Sequence, residues 1–316
     1  MIPRVASCAA AAVKMKREWR GGRAVLVRAE DGRGRIGMDW RGRRGSRNIE
    51  DRRGSRVGSI GGIGGAGFLA VLLIGWALGV DVTPLLEGST GSQAPRELSA
   101  ADQEAAEFVS VTLADTEEVW AQVFADQLDA RYRPPVLVLF SQATGSPCGG
   151  ANGATGPFYC PLDRKAYLDT AFFATMERQL GASGDFAAAY VVAHEIGHHV
   201  QNELGILDEA NALRARVGEA ESNAISVRIE LQADCFSGIW ARHAEAQFGS
   251  LEPGDIEEAI NAARRIGDDT LQRAAGRVPM PHTFTHGTSE QRMRWFERGY
   301  GSGRLVDCDS FGADRL

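Results

Sequence analysis

Residues 186–202 read Phe186-Ala-Ala-Ala-Tyr-Val-Val-Ala-His194-Glu195-Ile-Gly-His198-His199-Val-Gln-Asn. The apolar positions recur at helical spacing, Ser183 or Asp185 can cap the start, and Gly205 can end the helix. Positions i and i+4 lie one turn apart on one helix face, so His194 and His198 can direct ring nitrogens at a single ion. Zinc accepts imidazole ligands and keeps a coordination position open for water in catalytic sites. This stretch therefore predicts a helix that carries two zinc ligands.

Glu195 lies between the two histidines and is rotated about 100° from His194 around the helix. It cannot easily share the ion, but it can reach a water molecule bound there, which is where a general base is needed. His199 points away from the ligand face, and we expect it to meet solvent or to support a ligand through polar contacts. The competing interpretation is that these histidines are ordinary core or surface groups.

A third ligand must come from another part of the chain. The strongest candidate is Glu230, within Arg228-Ile-Glu-Leu-Gln-Ala-Asp234-Cys-Phe-Ser-Gly-Ile-Trp240. Glu230 and Asp234 share one face of an otherwise apolar helix, where a buried carboxylate needs a metal or a cation as partner. We predict that Glu230 binds the metal and that Asp234 accepts the ring N–H of a ligating histidine. An ion pair with Arg228 or Arg242 is the alternative, and other downstream candidates are Glu219, Glu221, His243 and the pair Glu257 and Glu258.

The spacing of His194, His198 and Glu230 looks like the gluzincin arrangement of metallopeptidases. The chain more closely resembles the bacterial family of neutral zinc metallopeptidases that comprises the YpfJ-like membrane proteins. The stretches that carry the resemblance are Met38–Arg53, Gly156–Pro161, the histidine helix, Glu230–Trp240 and Phe284–Arg292. The resemblance implies a single membrane anchor and a zincin-like domain.

The fold class follows from the periodicity of the chain after residue 98. Ser99 to Asp102 resembles a helix N-cap, and helical spacing continues to about Leu128. Val136–Phe140 reads as a buried strand and Ala166–Asp169 as a short strand, while residues 184–300 are mostly helical. We predict an α+β fold, mostly helical with a small sheet. By analogy with zincins, the strand Ala166–Asp169 would be the sheet edge along which an extended peptide binds.

An apolar segment precedes this domain. Residues 57–80 contain no charged residue, and about 20 apolar residues suffice to cross a bilayer. Arginines precede the segment and Asp81 follows it, so the positive-inside rule places residues before 57 in the cytoplasm. The predicted organisation is residues 1–56 as a cytoplasmic Arg-rich segment, 57–80 as a transmembrane helix, 81–98 as a linker and 99–316 as the peptidase domain. A buried core helix and a cleaved signal peptide are the alternatives.

Charge divides the chain in the same place. Residues 1–56 hold 16 Lys+Arg and 6 Asp+Glu, whereas the whole chain of 316 residues has a net charge of −6. With 44% hydrophobic and 24% charged residues, neither a fibrous nor a fully disordered chain fits. The basic start lacks aromatic interleaving or a folded module, so we expect no nucleic-acid partner. Met38 opens a new type of sequence, and one hypothesis is that translation starts there.

His286 lies in a loop before a helix that Ser289 can cap, and a loop histidine near zinc can stabilise a developing oxyanion. His282 or Tyr167 could do the same, and a purely structural role is the alternative for His286. Cys148, Cys160, Cys235 and Cys308 form an even set in an exported domain, which favours disulfides in one of three pairings. The pairs Cys148–Cys160 and Cys235–Cys308 would close a short loop and anchor the C-terminus, respectively.

Together these features predict a membrane-anchored, zinc-dependent endopeptidase in which Glu195 deprotonates a zinc-activated water. Its partners would be a protein or peptide substrate and, through residues 57–80, the lipid bilayer. The peptidase domain would lie outside the cytoplasm. The alternative is a non-catalytic zinc-containing envelope protein that binds or scaffolds a partner. The oligomeric state stays open.

Overall fold

The computed structural model describes residues 38–54, 98–152, 156–182 and 184–316. These residues form an α+β fold that is mostly helical with a small sheet, as predicted. The predicted membrane span at 57–80, nearly all of the predicted linker and the proposed cap Ser183 lie outside the described residues. In the ranges that are described, no helix combines the length and hydropathy that a membrane crossing requires.

Eight α-helices are found among the described residues, and two of them are about thirty residues long. They are α1 (Ala100–Leu128), α2 (Ala171–Thr175), α3 (Asp185–Glu203), α4 (Ile206–Arg214), α5 (Glu219–Phe248), α6 (Asp255–Arg265), α7 (Asp268–Ala274) and α8 (Ser289–Ser302). A π-helical turn, Met176–Leu180, follows α2, and short 3-10 turns cover Pro281–Thr283 and Leu305–Cys308.

The main sheet has four strands in the order β1-β2-β6-β5. They are β1 (Ile49–Asp51), β2 (Val136–Phe140), β5 (Phe158–Cys160) and β6 (Lys165–Asp169). The first three in sheet order are parallel, and β5 runs antiparallel to β6. A separate hairpin is formed by β3 (Ala143–Ser146) and β4 (Gly149–Asn152).

The strand that includes Ala166–Asp169 was predicted to be a free edge, and this is wrong. It is β6, which pairs with β2 on one side and with β5 on the other. The edge strand on this side is β5, so an added peptide strand would have to pair with Phe158–Cys160. No sequence pattern predicts β5, because a three-residue strand inside a Gly/Pro-rich loop is too short to show a periodicity.

The helix predicted to begin near Ser99 is confirmed as α1. Ser99 accepts a hydrogen bond from the backbone N–H of Asp102, whose carboxylate accepts from the backbone of Ser99, so a capping box defines the start. One face of α1 is buried in the core and includes Phe108, Val119 and Trp120. This face positions α1 against the histidine helix α3.

Residues 38–54 are part of the same folded unit as the domain that follows. The side chains of Met38 and Trp40 are buried in the core cluster that also contains α1 and α3 residues. The backbone N–H of Met38 donates to Oδ1 of Asp185 at the start of α3 (2.9 Å), and β1 pairs with β2. Residues 38–54 are therefore not structurally separate from the domain, whereas the predicted membrane topology of residues 1–56 stays a prediction.

Helix α3 crosses α5 closely at Gly197, between the two predicted histidine ligands. A Cβ atom at Gly197 would lie 3.0 Å from the carbonyl oxygen of Ala233 and 3.2 Å from its Cα. Because glycine lacks that atom, the two backbones approach closely at this point. The crossing places the face of α5 that carries Glu230 and Asp234 against the histidines of α3.

The four cysteines of the domain are joined as Cys148–Cys160 and Cys235–Cys308. The first bridge links the loop after the β3 strand to the edge strand β5. The second joins α5 to the 3-10 turn that follows α8. Each bridge therefore fixes a segment that borders the histidine site or supports the helices behind it.

Candidate metal centre

His194, His198 and Glu230 bring three donor atoms together, and all three lie within 4.8 Å of one another. The Nε2 atom of His194 is 3.1 Å from Oε2 of Glu230, and the Nε2 atom of His198 is 3.5 Å from Oε1. Tetrahedral zinc with bonds of about 2.0–2.1 Å sets its donor atoms about 3.3 Å apart. The two nitrogens and the carboxylate therefore fit a zinc ion in both donor type and spacing.

The opposite nitrogen of each histidine is held by a hydrogen-bond acceptor. His194 Nδ1 donates to Oδ1 of Asp234 at 2.9 Å, and His198 Nδ1 donates to Oε1 of Gln201 at 2.9 Å. Gln201 in turn donates to the carbonyl oxygen of Ile229 on α5. A proton on Nδ1 leaves the Nε2 lone pair available to a metal, so both rings are oriented as ligands.

In the absence of a metal, His194 holds a proton strongly. Its burial lowers its pKa, but hydrogen bonds from the ring to Asp234 and Glu230 outweigh burial and raise the pKa to about 10. A histidine binds a metal through a deprotonated ring nitrogen. Metal binding here would therefore release the proton that lies between His194 and Glu230.

Glu195 borders the same cleft from the helix turn between the two histidines. Burial raises the pKa of its carboxyl, and the charges of His198 and His194 oppose that rise. Within the described residues, its carboxylate makes no hydrogen bond or ion pair to another side chain or backbone group. A partly exposed carboxylate beside three metal donors can accept a proton from a water molecule in the cleft.

Asp234 is completely buried, and its cationic partner is neither Arg228 nor Arg242. Arg292 of α8 donates through Nε to Oδ2 (2.8 Å) and through Nη2 to Oδ1 (2.9 Å). Burial raises the pKa of Asp234, but the Arg292 guanidinium outweighs it and lowers the pKa below its usual value. Arg228 and Arg242 instead donate to backbone carbonyls near the C-terminus.

His286 lines the cleft from the loop before α8, whereas neither His282 nor Tyr167 does. Its Nδ1 atom lies 3.2 Å from Oδ1 of Asp268, and this hydrogen bond raises the pKa of His286. The hydroxyl of Tyr167 donates to Asp163 away from the site. The helix after this loop is capped by Thr288 through a capping box with Gln291, and not by Ser289 as predicted.

The cleft has a volume of about 610 Å³, and its polar lining includes His194, Glu195, His198, Glu230, His286 and Arg292. The edge strand β5 contributes Phe158 and Tyr159 to one wall, and Ile266 and Leu271 contribute to another. The other predicted ligand candidates do not line it. His243 donates to the carbonyl oxygen of Gly303, and Glu258 accepts from the backbone of Phe186.

His199 points away from the ligand face, as expected, but it does not reach solvent. Its Nε2 donates to the carbonyl oxygen of Arg133 at 2.7 Å, and its Nδ1 is 2.9 Å from the hydroxyl of Tyr159. Burial lowers its pKa to about 4. His199 is therefore a neutral ring that joins α3 to β5 and to the segment before β2.

The family model for "putative neutral zinc metallopeptidase" matches residues 38–311. The chain belongs to this family. Membership suggests zinc peptidase activity, and the match begins at Met38, the first residue that the structure describes. The residues that form the site lie on α3, α5, α8 and the loop before α8, all within the matched range.

Relatives of this family member occur in distant bacteria. The uncharacterized protein YpfJ of Escherichia coli strain K12 is 48% identical over 287 residues, which covers 87% of this chain and 99% of the relative. The uncharacterized protein Rv2575 of Mycobacterium tuberculosis strain H37Rv is 44% identical over 195 residues, covering 58% of this chain and 65% of the relative. No solved structure matches this family member.

Sequence reasoning missed several polar residues that complete the site of this metallopeptidase family member. They are Tyr190, Gln201, Asp268 and Arg292. Gln201 could have been found, because it follows His198 by three positions on the same helix. The other contacts join residues that are far apart in sequence, and no local pattern indicates them.

Proposed function

We propose that this protein is a zinc endopeptidase with a gluzincin-type site in a zincin-like domain. The observation that carries the proposal is the convergence of His194, His198 and Glu230 beside the carboxylate of Glu195 on one cleft. Family membership supports the same activity. A purely structural zinc site has no need of a carboxylate beside the open side of the ion, which disfavours a non-catalytic scaffold.

His194, His198 and Glu230 would hold the ion, and zinc in such a site activates water and polarises a carbonyl group. Glu195 takes the proton from the water through its carboxylate and passes it to the amine of the leaving product. His286 lines the same cleft, where its ring can donate a hydrogen bond to the oxygen of the scissile carbonyl. Asp268 holds that ring in place.

The substrate is proposed to be an extended polypeptide that pairs with the edge strand β5. Strand addition supplies backbone hydrogen bonds along Phe158–Cys160, and the apolar walls of the cleft accommodate side chains. The bridge between Cys148 and Cys160 ties this edge to the neighbouring loop. This arrangement supports cleavage within a chain, since a bound strand can run past the metal donors in both directions.

Attachment to the membrane through residues 57–80, with the peptidase domain outside the cytoplasm, is part of the proposal. Two disulfides favour an oxidising compartment. Residues 38–54 pack with the domain, so we place both parts in that same compartment. A single crossing by residues 57–80 would put them on opposite sides of the membrane, and we therefore propose that residues 57–80 attach the protein to the membrane without a single crossing.

Glu195→Gln tests the proposal directly. The wild-type protein should contain one zinc per chain and hydrolyse an unfolded casein-like substrate, with activity lost to a chelator and restored by zinc. Glu195→Gln should keep the zinc and lose at least about 1,000-fold in kcat. Zinc binding without hydrolysis by the wild type would instead favour the scaffold function, and hydrolysis retained by a pure Glu195→Gln preparation would exclude Glu195 as the base.

A further inference from the structure

Arg292 is a cation beside the metal site, and no sequence pattern predicts its position there. Its side chain is 2% exposed, and three of its guanidinium nitrogens donate to protein groups. Two of these bonds form a bidentate pair with the carboxylate of Asp234, at 2.8 and 2.9 Å. A planar guanidinium fixes a carboxylate in plane as well as in position, which a lysine ammonium cannot do.

Three donors converge on a single oxygen of Asp234. Oδ1 accepts from His194 Nδ1 (2.9 Å), from the Tyr190 hydroxyl (2.5 Å) and from Arg292 Nη2 (2.9 Å). Arg292 Nη2 also donates to the Tyr190 hydroxyl at 3.2 Å. The direction of the His194 ring is therefore set by an oxygen whose own position depends on Arg292 and Tyr190.

Helix α8, which carries Arg292, packs closely against α5, which carries Asp234. A Cβ atom at Gly299 would lie 1.8 Å from the carbonyl oxygen of Cys235, and one at Gly238 would lie 2.1 Å from that of Phe296. Both glycines thus allow α5 and α8 to touch backbone to backbone. The disulfide Cys235–Cys308 joins the residue after Asp234 to the segment that follows α8.

We propose that Arg292 is a positioning residue for the metal ligand His194, acting through Asp234. This inference rests on the proposed function, because it assigns Arg292 a role at the same zinc site. A buried ion pair is not in itself an efficient source of stability, since an apolar pair of similar volume often serves as well. This ion pair contacts the ring of a metal ligand. It can therefore orient that ring, which an apolar pair of the same volume could not do.

Arg292→Lys keeps the charge but loses the bidentate geometry, and it is compared with Arg294→Gln as a control on the same helix. Arg294 contacts Glu290 and the backbone of Leu316, far from the cleft. We expect the zinc dissociation constant, measured by competition with a chromogenic chelator, to rise about 10- to 100-fold in Arg292→Lys. The absorption bands of the cobalt-substituted protein should also change, since they report ligand geometry.

Tyr190→Phe provides a milder variant that removes one hydrogen bond to Asp234 without changing the packing volume. It should weaken zinc binding by about 3-fold while leaving the protein folded, so the test does not depend on the folding of Arg292→Lys. Unchanged zinc affinity and cobalt spectra in both variants, with only a lowered melting temperature, would overturn the inference. A wild-type protein that binds no zinc would instead overturn the proposed function.

Discussion

The imidazole of His286 and the carboxylate of Asp268 face each other across the start of α7, with Nδ1 and Oδ1 3.2 Å apart. The second oxygen of Asp268 accepts the backbone N–H groups of Thr285, His286 and Gly287. The carboxylate of Asp268 therefore fixes both the loop before α8 and the ring of His286, which that loop carries. Since the ring lines the metal cleft, Asp268 links loop geometry to the protonation of His286.

Asp268→Asn should move the pH profile of hydrolysis. The hydrogen bond from His286 to Asp268 raises the pKa of His286, so the ring stays protonated to higher pH than an isolated histidine. Without the carboxylate that pKa falls, and the alkaline limb of kcat/KM should shift to lower pH with a loss of about 10-fold at neutral pH. The profile is measured from pH 5.5 to 9 with zinc at saturation.

His286→Ala should cost about 100-fold in kcat with little change in zinc content, because the ring donates only in the transition state. His282→Ala is the matched control, since His282 is exposed and does not line the cleft. An unshifted alkaline limb in Asp268→Asn would remove His286 from the mechanism.

The contrast between His198 and Arg292 shows how far sequence reasoning extends. His194, Glu195 and His198 sit on two turns of one helix, so helical periodicity alone predicts that they share a site. Glu230 could be proposed because a carboxylate on an apolar helix face needs a partner. Arg292 is 58 positions from Asp234, and nothing in the local pattern of α8 indicates that its side chain points inward. Long-range partners of this kind depend on how the helices cross.

The arginines of the N-terminal segment show a second limit of prediction from sequence. Arg41, Arg43, Arg44, Arg52 and Arg53 read as a positive membrane flank, and the positive-inside rule depends on that reading. In the structure, Arg43 pairs with Asp115, Arg44 pairs with Glu118, and Arg53 pairs with Asp51. These arginines serve the fold, and composition alone cannot distinguish a flank from a partner of α1.

His199 should make stability fall in mild acid. Its pKa is lowered to about 4 in the folded state from an ordinary value of 6.5, so below pH 6.5 the unfolded chain binds a proton that the folded protein does not. Stability from this group is complete above pH 6.5 and is lost as the pH falls toward 4, by up to about 3 kcal/mol. The free energy of unfolding of the metal-free protein in urea, measured at several pH values, tests this.

His199→Gln cannot titrate in this range and supplies the comparison. It should be less stable than the wild type at pH 7, because Tyr159 and the carbonyl of Arg133 lose their fitted partner. Its stability should nevertheless fall less steeply between pH 6.5 and 4. Parallel pH curves for the two proteins would show that His199 does not titrate as described.

The two disulfides should differ in their effect. Cys235–Cys308 spans 73 positions and Cys148–Cys160 spans 12, so loop entropy assigns about 4 and about 3 kcal/mol to them. Replacing both cysteines of the longer bridge by serine should lower the melting temperature more and should also weaken zinc binding, because the 3-10 turn that follows α8 loses its link to α5. Replacing those of the shorter bridge should mainly raise KM, since it borders the edge strand. Equal effects on zinc binding would contradict this division.

Residues 38–54 and the peptidase domain should lie on the same side of the membrane, which means that residues 57–80 should not cross it as a single span. Paired strands are about 4.8 Å apart, whereas the hydrocarbon core of a bilayer is about 30 Å thick, so β1 and β2 cannot pair across it. Arg47→Cys and Arg216→Cys place a thiol at an exposed position in each part, in a Cys8→Ser background that removes the cysteine outside the two disulfides. A membrane-impermeant maleimide applied to intact spheroplasts should label both variants to the same extent, and the parent without an added cysteine is the control. Labelling of Arg216→Cys alone, with Arg47→Cys reached only after lysis, would mean that the membrane separates the two parts and that β1 does not join the sheet in the cell.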